Sequence, residues 1–224
     1  MGIFYAGWEV EIMYKTIKKE ASDEFEEKKS TFIGYVKRIE TEEEAKEFIN
    51  KIKSENREAR HNVYAYIIGE NKGIQRYSDD GEPQGTGGIP VLEVIKKNEL
   101  TDTVIVVTRY FGGVLLGAGG LTRAYTKGAS IAVKAGGIVN KVYAHKLHVK
   151  IDYDLLGKLQ YTAEQNLWFV KDIEYGENVI ITFIGEDCES MIEKIIDISR
   201  GKASITKEEA EIFFKEENNY YENV

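Results

Sequence analysis

Hydrophobic positions in the first 140 residues follow two periods, one typical of strands and one typical of helices. Short β-branched and aromatic runs are too short for helices and therefore predict strands. These runs cover residues 13–17, 31–36, 63–68 and 103–108. A charged stretch, residues 22–29, separates the first two runs.

Three helices are expected between and after these strands. The first begins near Thr41, a good N-cap residue, and Glu44 at the third helical position completes a capping box. Its apolar stripe consists of Ala45, Phe48, Ile49 and Ile52. The second helix covers residues 89–97 with Pro90 in its first turn, and the third covers residues 121–135 before a pair of glycines.

The second half of the chain has a different order of elements. In chain order the pattern predicts a strand at 146–151, a helix at 155–165, strands at 167–173 and 179–184, a helix at 188–199 and a strand at 203–214. This βαββαβ order predicts a ferredoxin-like sandwich of two helices on an antiparallel sheet. The polar, acidic residues 216–224 are expected to fray.

The predicted elements divide the chain into two domains of the α+β class. We place the first domain at residues 13–139 and the second at residues 140–224. Residues 1–12 are expected to be translated leader. The reason is that Trp8 and its neighbours can be encoded by a bacterial ribosome-binding site that lies shortly before Met13.

Composition excludes several classes of protein. Of the 224 residues, 42% are hydrophobic, which is too many for a disordered chain, and no apolar run approaches the ~20 residues of a membrane span. A single cysteine cannot form an internal disulfide, and the start of the chain lacks a secretory signal. We therefore expect a cytoplasmic protein with no membrane partner, and no motif indicates a cofactor or a metal ion.

Charge is distributed unevenly along the chain. The formal net charge is −8, of which residues 1–140 contribute −1 and residues 141–224 contribute −7. Between Asp102 and Asp152 there is no acidic residue, although seven lysines and arginines fall there. A basic field over the whole molecule is excluded, but this stretch indicates a local site for an anionic partner.

Two glycine-rich segments, residues 79–90 and 109–121, each run into a predicted helix. Glycine permits positive φ and close approach, and a helix N-terminus presents unpaired N–H groups, so both segments are candidates for phosphate binding. Neither segment matches a Walker or dinucleotide motif. The alternative is that these glycines only make tight turns.

Cations follow the second glycine-rich segment. Arg123, Lys127 and Lys134 form one stripe of the predicted helix and suit phosphate oxygens, unless the stripe is simply a solvated face. Arg109 and Tyr110 follow a buried strand, where they are candidates to bind a phosphate and stack a base. The alternative for Arg109 is an ion pair with an acidic residue of the first segment: Asp79, Asp80 or Glu82.

The remaining reactive residues give weaker signals. The same acidic trio offers an alternative as a metal site, although no His or Cys shares its segment. His61, beside Arg60, is a candidate proton shuttle or phosphate donor, although a hydrogen-bonded structural role is favoured. Cys188 opens a helix among acidic neighbours that oppose a thiolate, so we expect it to be structural.

These motifs resemble those of the YigZ/IMPACT family. The resemblance is carried by residues 79–88 (DDGEPQGTGG), 109–113 (RYFGG) and 119–125 (GGLTRAY). It extends from about residue 13 to residue 135, and the following domain resembles the ferredoxin-like domain that bacterial members add. Thr31 stands where the family has a basic residue and Val63 where a cysteine is common, so one phosphate contact is weakened and a thiol is absent.

The resemblance implies a fold for each domain. The first is expected to be an α/β sandwich of the type in the second domain of a small-subunit ribosomal protein and in domain IV of elongation factor G. The second is similar to the ferredoxin-like modules of that factor. Eukaryotic members restrain a starvation-response kinase of translation, a pathway that bacteria lack. The family has no agreed catalytic residues, and motif positions without a role are Arg60, His61, Asp79, Asp80, Glu82 and Thr86.

These observations predict a regulator of translation or of a stress response that binds RNA or the ribosome. Its site is expected on the basic, glycine-rich surface of the first domain: Arg109, Tyr110, Gly112, Gly113, Gly119, Gly120, Arg123, Lys127 and Lys134. The acidic second domain is expected to limit non-specific binding or to hold a protein partner. Two alternatives stay open: an enzyme that acts on a small phosphorylated substrate at the same site, and a basic face that docks an acidic protein.

Overall fold

The computed structural model describes residues 12–224, which divide into two compact units. The N-terminal unit contains residues 14–139 and Val224, and the C-terminal unit contains residues 140–223 together with residues 12–13. Each unit combines helices with a sheet, so the predicted two-domain α+β organisation is confirmed. The expected leader lies outside the described residues except for Ile12. Among the described residues, no helix is long and apolar enough to cross a membrane.

The elements in the first part of the chain are β1 (Ile12–Ile17), β2 (Ala21–Glu27), β3 (Ser30–Arg38), α1 (Glu42–Glu55), β4 (His61–Ile68), β5 (Ile74–Ser78), α2 (Gly88–Lys97), β6 (Thr103–Tyr110) and α3 (Ala118–Gly136). All of them belong to the N-terminal unit except the first two residues of β1. Five of the strands form an antiparallel sheet with the order β2-β3-β6-β4-β5. The two edge strands, β2 and β5, are absent from the sequence prediction. Most of β2 is the charged stretch that was expected to separate two strands.

Successive residues of the central strand β6 face opposite layers. Val104 and Val106 pack with α1 on one face of the sheet, and Ile105 and Val107 pack with α2 and α3 on the other. Because helices cover both faces, β6 is a continuous apolar strand, as its β-branched run predicts. The N-terminal unit is therefore a three-layer sandwich, and α3 lies in an outer layer.

Helix α1 confirms the local prediction at Thr41. The Thr41 hydroxyl accepts a hydrogen bond from the backbone N–H of Glu44, with 3.2 Å between the two atoms, and the four residues of the predicted apolar stripe are buried. The second half of the capping box differs from the prediction. The Glu44 carboxylate accepts from the backbone N–H of Glu40 at 2.6 Å instead of that of Thr41.

The C-terminal unit contains β7 (Ile138–Ile151), α4 (Tyr153–Gln165), β8 (Phe169–Tyr175), β9 (Val179–Gly185), α5 (Cys188–Ser199), β10 (Ser204–Lys207), β11 (Glu211–Glu216) and β12 (Asn219–Tyr221). Strands β10, β7, β9 and β8 are antiparallel neighbours in that order. Helices α4 and α5 cover one face, where Leu159, Phe183 and Ile195 are buried. The unit is a ferredoxin-like sandwich, as predicted.

The C-terminal residues differ from the prediction. The single strand expected at 203–214 is divided into β10 and β11, and both run beside β7. The residues expected to fray include β12, which pairs with β11. The ring of Tyr220 in β12 packs against Phe169 and Phe213, in a small core on the sheet face opposite the two helices. The expectation of a frayed end is therefore wrong for residues 219–221.

Candidate functional site

A buried ion pair occupies the end of strand β6. Arg109 is 5% exposed and Glu82 is 8% exposed, and Arg109 Nη1 donates to Glu82 Oε1 at 2.7 Å. The hydroxyl of Tyr125, in α3, donates to the same oxygen at 2.8 Å. Burial raises the pKa of Tyr125 above its ordinary value and the Glu82 carboxylate raises it further, so the phenol stays protonated as a donor to Glu82.

Arg109 is therefore paired with Glu82 inside the protein. It does not lie on an exposed binding surface, where the sequence pattern predicts it. Its guanidinium lies near two rings, with Cζ 5.6 Å from the centroid of Phe32 and 5.3 Å from that of Phe111. A buried cation is stable only with a buried anion beside it. Of the two roles predicted for Arg109, the structure shows the ion pair, and the acidic partner is Glu82.

His61 and Asp80 lie beside the ion pair. His61 Nδ1 is 2.9 Å from the backbone carbonyl oxygen of Asp80, which can only accept, so Nδ1 carries a proton. His61 Nε2 lies 4.0 Å from Glu82 Oε1. Asp80 has two donors of its own, Lys53 Nζ at 2.6 Å and the backbone N–H of Asn62 at 2.7 Å. The hydrogen-bonded structural role favoured for His61 fits this arrangement.

Asp79 is the first residue of the glycine-rich segment 79–90, and its carboxylate binds backbone N–H groups of that segment. Its Oδ1 accepts from the backbone N–H groups of Gly87 and Gly88 at 3.0 and 2.8 Å, and its Oδ2 accepts from Gly85 at 2.8 Å. Burial raises the pKa of Asp79, but these three donors outweigh burial and hold the pKa below its ordinary value. The donors at the start of α2 are occupied by the protein's own carboxylate. This segment therefore forms a tight turn, which is the alternative prediction. Its N–H groups at Gly85, Gly87 and Gly88 are not open to a phosphate.

The acidic trio does not converge on one point. Asp79 binds backbone N–H groups, whereas Asp80 and Glu82 bind different cations. Among the residues that the structure describes, no group of three or more His, Cys, Asp or Glu side chains is placed to hold a metal ion. Thr86 is buried, and its hydroxyl donates to the carbonyl oxygen of Pro83 at 2.7 Å. Asp79, Asp80, Glu82 and Thr86 therefore stabilise the conformation of this loop through their hydrogen bonds.

The second glycine-rich segment, which joins β6 to α3, is open by contrast. A Cβ on Gly112 would lie 1.8 Å from the carbonyl oxygen of Lys29, so this glycine rests directly on the β2–β3 turn. Gly113 and Gly117 have φ angles of 82° and 71°, and an added Cβ would meet no neighbouring atom within 4 Å. Glycine is required there by the backbone conformation. Between these two glycines, Val114 and Leu115 are exposed, whereas Leu116 packs against the core.

Helix α3 begins directly after this loop, with Gly119 and Gly120 in its first turn, and no side chain caps it. An uncapped N-terminus carries partial positive charge and unpaired N–H groups. Arg123 and Lys127 are exposed on the next turns. Lys127 Nζ lies 4.1 Å from the ring centroid of Phe25 in β2. This end of α3 has the features expected of an anion site.

Other parts of the chain add cations to this end of α3. Lys28, at the β2–β3 turn, lines a cavity of about 190 Å³ together with Arg123 and Lys127. Arg60 Cζ lies 5.8 Å from the ring centroid of Phe111. None of these cations has an acidic partner among residues 12–224. We call the set the α3 basic surface: Lys28, Lys29, Arg60, Arg123 and Lys127.

Two predicted site residues lie elsewhere. Lys134 lines a separate groove of about 850 Å³ between α2 and α3. Tyr110 is half-buried, and its hydroxyl donates to Asn56 Oδ1 at 2.8 Å. The ring that faces outward is that of Phe111, which is 39% exposed. Of these two aromatic residues, Phe111 and not Tyr110 presents an exposed ring.

Comparisons with known proteins cover both units. The family model described as the Impact N-terminal domain matches residues 28–133, and that of a domain of unknown function (DUF1949) matches residues 149–202. The chain is 44% identical over 198 residues to "IMPACT family member YvyE" of Bacillus subtilis (strain 168), covering 88% of this chain and 91% of that protein. It is 30% identical over 182 residues to "IMPACT family member YigZ" of Escherichia coli (strain K12), covering 80% and 89%. A crystal structure of a hypothetical protein, 28% identical, superimposes with a TM-score of 0.56 over 86% of this chain and 95% of its own.

Proposed function

The chain belongs to the IMPACT family, and on this premise we propose that it is a regulator of translation that binds RNA, alone or within the ribosome, through the α3 basic surface. One observation carries the proposal. Five exposed cations without acidic partners among the described residues lie at the uncapped N-terminus of α3 or beside the loop that leads into it.

Phosphate oxygens are the ligands that this surface fits. Lysine and arginine neutralise phosphates and release condensed counterions, and the start of α3 adds unpaired N–H groups. Phe111, beside Arg60, offers a ring on which an unpaired base can stack. An exposed ring requires an unstacked base, so single-stranded or looped RNA is favoured over a duplex. Glu27 also lines the 190 Å³ cavity and lowers its local positive charge.

The regulatory part of the proposal comes from the family. The resemblance implies that eukaryotic members restrain a kinase of translation, and a cytoplasmic protein that binds RNA or the ribosome is suited to a comparable role. The acidic C-terminal half, with a net charge of −7 over residues 141–224, repels nucleic acid. It would limit non-specific binding or hold a protein partner.

Fluorescence anisotropy of a labelled single-stranded RNA at several salt concentrations tests the proposal. The wild-type chain should bind with a strong salt dependence, and Arg123→Glu/Lys127→Glu should lose binding while it keeps its fold. The matched control is Lys46→Glu/Arg57→Glu, in and just after α1. It makes the same change of charge on the opposite face of the sheet and should retain most of the affinity.

Two outcomes would contradict the proposal. The first is equal affinity of the wild type and Arg123→Glu/Lys127→Glu. The second is a higher Tm with small phosphorylated metabolites in the absence of RNA binding. That result would favour the enzyme alternative, because a ligand that binds only the folded protein raises its stability.

A further inference from the structure

The loop between β6 and α3 carries the most exposed large apolar side chain among the described residues. Leu115 is 83% exposed, and its neighbour Val114 is 39% exposed. The next residue, Leu116, packs against the core instead. Val114 and Leu115 therefore form an apolar tip that the described part of the protein leaves largely in solvent.

The base of this loop is fixed, whereas the tip is open. Gly112 rests on the backbone of Lys29, and Leu116 anchors the other side in the core. Gly113 and Gly117 bracket the tip, and each has open space where a side chain would lie. The fold thus presents Leu115 at a defined place, and residues 12–224 leave its side chain largely in solvent.

The surroundings of the tip distinguish it from an ordinary exposed leucine. Single apolar side chains on a surface are common and need no explanation. Here Leu116 shares the 190 Å³ cavity with Lys28 and Arg123, and Arg60 lies over Phe111 at the start of the loop. The loop that carries the apolar tip therefore adjoins cations of the α3 basic surface at both of its ends.

Bare RNA can bind the cations and the exposed ring of this surface, but it offers no binding site for the apolar tip. Phosphates bind the cations and bases stack on flat rings, whereas an aliphatic side chain gains free energy only by leaving water for an apolar pocket. A flexible single strand offers no preformed pocket of that kind. A partner that matches the whole surface presents an apolar pocket beside clustered phosphates, which is the chemistry of a protein bound to RNA.

We propose that the α3 basic surface and the apolar tip together bind a ribonucleoprotein, with Leu115 in an apolar pocket of a protein that lies beside RNA phosphates. The inference rests on the proposed function and names the class of partner. The cations hold the RNA backbone, which is common to all sequences. Leu115 then distinguishes a protein-containing site from bare RNA.

Co-sedimentation with purified bacterial ribosomes and, separately, with protein-free ribosomal RNA tests the inference. Leu115→Ser removes the tip at a position that is 83% exposed, so the fold should be retained. The matched control is Leu167→Ser, at a leucine that is 67% exposed in the C-terminal unit. We expect Leu115→Ser to bind ribosomes about tenfold more weakly than the wild type and the control. All three should bind protein-free RNA alike.

The failure of the inference is distinguishable from that of the proposed function. Equal ribosome binding by the wild type and Leu115→Ser would overturn the inference alone, as would a loss of binding to protein-free RNA in Leu115→Ser. If the wild type binds neither ribosomes nor RNA, both fail. Leu115-dependent binding to vesicles of phosphatidylglycerol and phosphatidylcholine, without Leu115-dependent ribosome binding, would overturn the inference in favour of a lipid surface.

Discussion

Gly34 of β3 and Gly128 of α3 face each other without room for a side chain. A Cβ on Gly34 would lie 2.1 Å from the carbonyl oxygen of Gly128, and a Cβ on Gly128 would lie 2.7 Å from a methyl group of Val107. The backbone of α3 therefore packs directly on the sheet, at a distance that only glycine permits. This contact sets the position of Arg123 and Lys127 above the sheet.

Gly34→Ala should lower the free energy of unfolding of the N-terminal unit by about 1–3 kcal/mol, because the added methyl group must displace α3. Gly157→Ala is the control: Gly157 is in helix α4, and an added Cβ would meet no neighbouring atom within 4 Å. That change should stabilise α4 by roughly 0.5–1 kcal/mol. Urea denaturation measures both effects, and an unchanged midpoint for Gly34→Ala would show that α3 does not approach the sheet so closely.

Sequence patterns predict the elements that depend on near neighbours. Thr41 caps α1 through a residue three positions away, and the apolar stripe of α1 is buried as predicted. Strand β2 is different, because its residues are mainly acidic and local propensity does not favour a strand. It is a strand because β3 pairs with it from Ala21 to Glu27. That pairing is a property of the whole sheet.

The candidate site depends on pairing even more strongly. Strands β3 and β4 both pair with β6, so the ends that carry Lys29, Arg60 and Phe111 meet, although the three residues are far apart in sequence. The linear sequence does not report these distances. It also cannot select the partner of Arg109, because three nearby carboxylates are available and only the folded chain brings Glu82 to the guanidinium.

Glu82→Gln should destabilise the N-terminal unit by about 3–5 kcal/mol, because it leaves the buried Arg109 cation without an anion. Glu93→Gln removes a carboxylate from an exposed pair with Lys96 and should change stability by less than ~1 kcal/mol. Thermal or urea unfolding followed by circular dichroism provides the comparison.

A double variant separates the ion pair from simple loss of packing. Glu82→Leu/Arg109→Leu removes both charges, so it should be more stable than Glu82→Gln despite having one more substitution. If the double variant is instead the less stable of the two, the buried pair contributes more than the cost of its desolvation.

Asp79→Asn should make the unfolding free energy of the N-terminal unit less dependent on pH in the acidic range. Three backbone donors hold the pKa of Asp79 below its ordinary value, so the ionised carboxylate contributes stability above the unfolded-state pKa of about 4, and this contribution is lost as the pH falls through the lower folded-state pKa. The wild type should exceed Asp79→Asn in unfolding free energy at pH 7, and the difference should shrink below about pH 4. Urea titrations from pH 7 to pH 3 measure it. A difference that grows in acid would contradict the assignment.

Neutralising one cation of the α3 basic surface should reduce the salt dependence of RNA binding. For single strands, log K falls with log salt by about 0.7 per neutralised phosphate. Lys28→Gln, Arg60→Gln and Lys127→Gln should therefore each lower the slope by roughly 0.7, if each side chain contacts one phosphate. Lys134→Gln, in the groove between α2 and α3, should leave the slope unchanged. An equal effect of Lys134→Gln would place RNA in that groove.

Tyr220→Ala should destabilise the C-terminal unit by about 3 kcal/mol, because the ring packs against Phe169 and Phe213. The Tyr220 hydroxyl also donates to Glu186, and burial raises the pKa of this phenol above its ordinary value. Tyr220→Phe should therefore cost about 1–2 kcal/mol on its own. Unfolding followed through Trp168, which packs in the same unit, tests whether β12 is structural. No effect of Tyr220→Ala would restore the expectation of a frayed end.

Strand β2 lies at one edge of the N-terminal sheet, and four of its seven residues carry carboxylates: Asp23, Glu24, Glu26 and Glu27. An edge strand offers unpaired N–H and C=O groups, which invite the edge of another copy to extend the sheet. Two β2 edges brought side by side would align rows of negative charge, and like charges opposite each other destabilise such a pair. The acidic residues that make β2 hard to predict therefore protect the protein from aggregating through its own sheet edge.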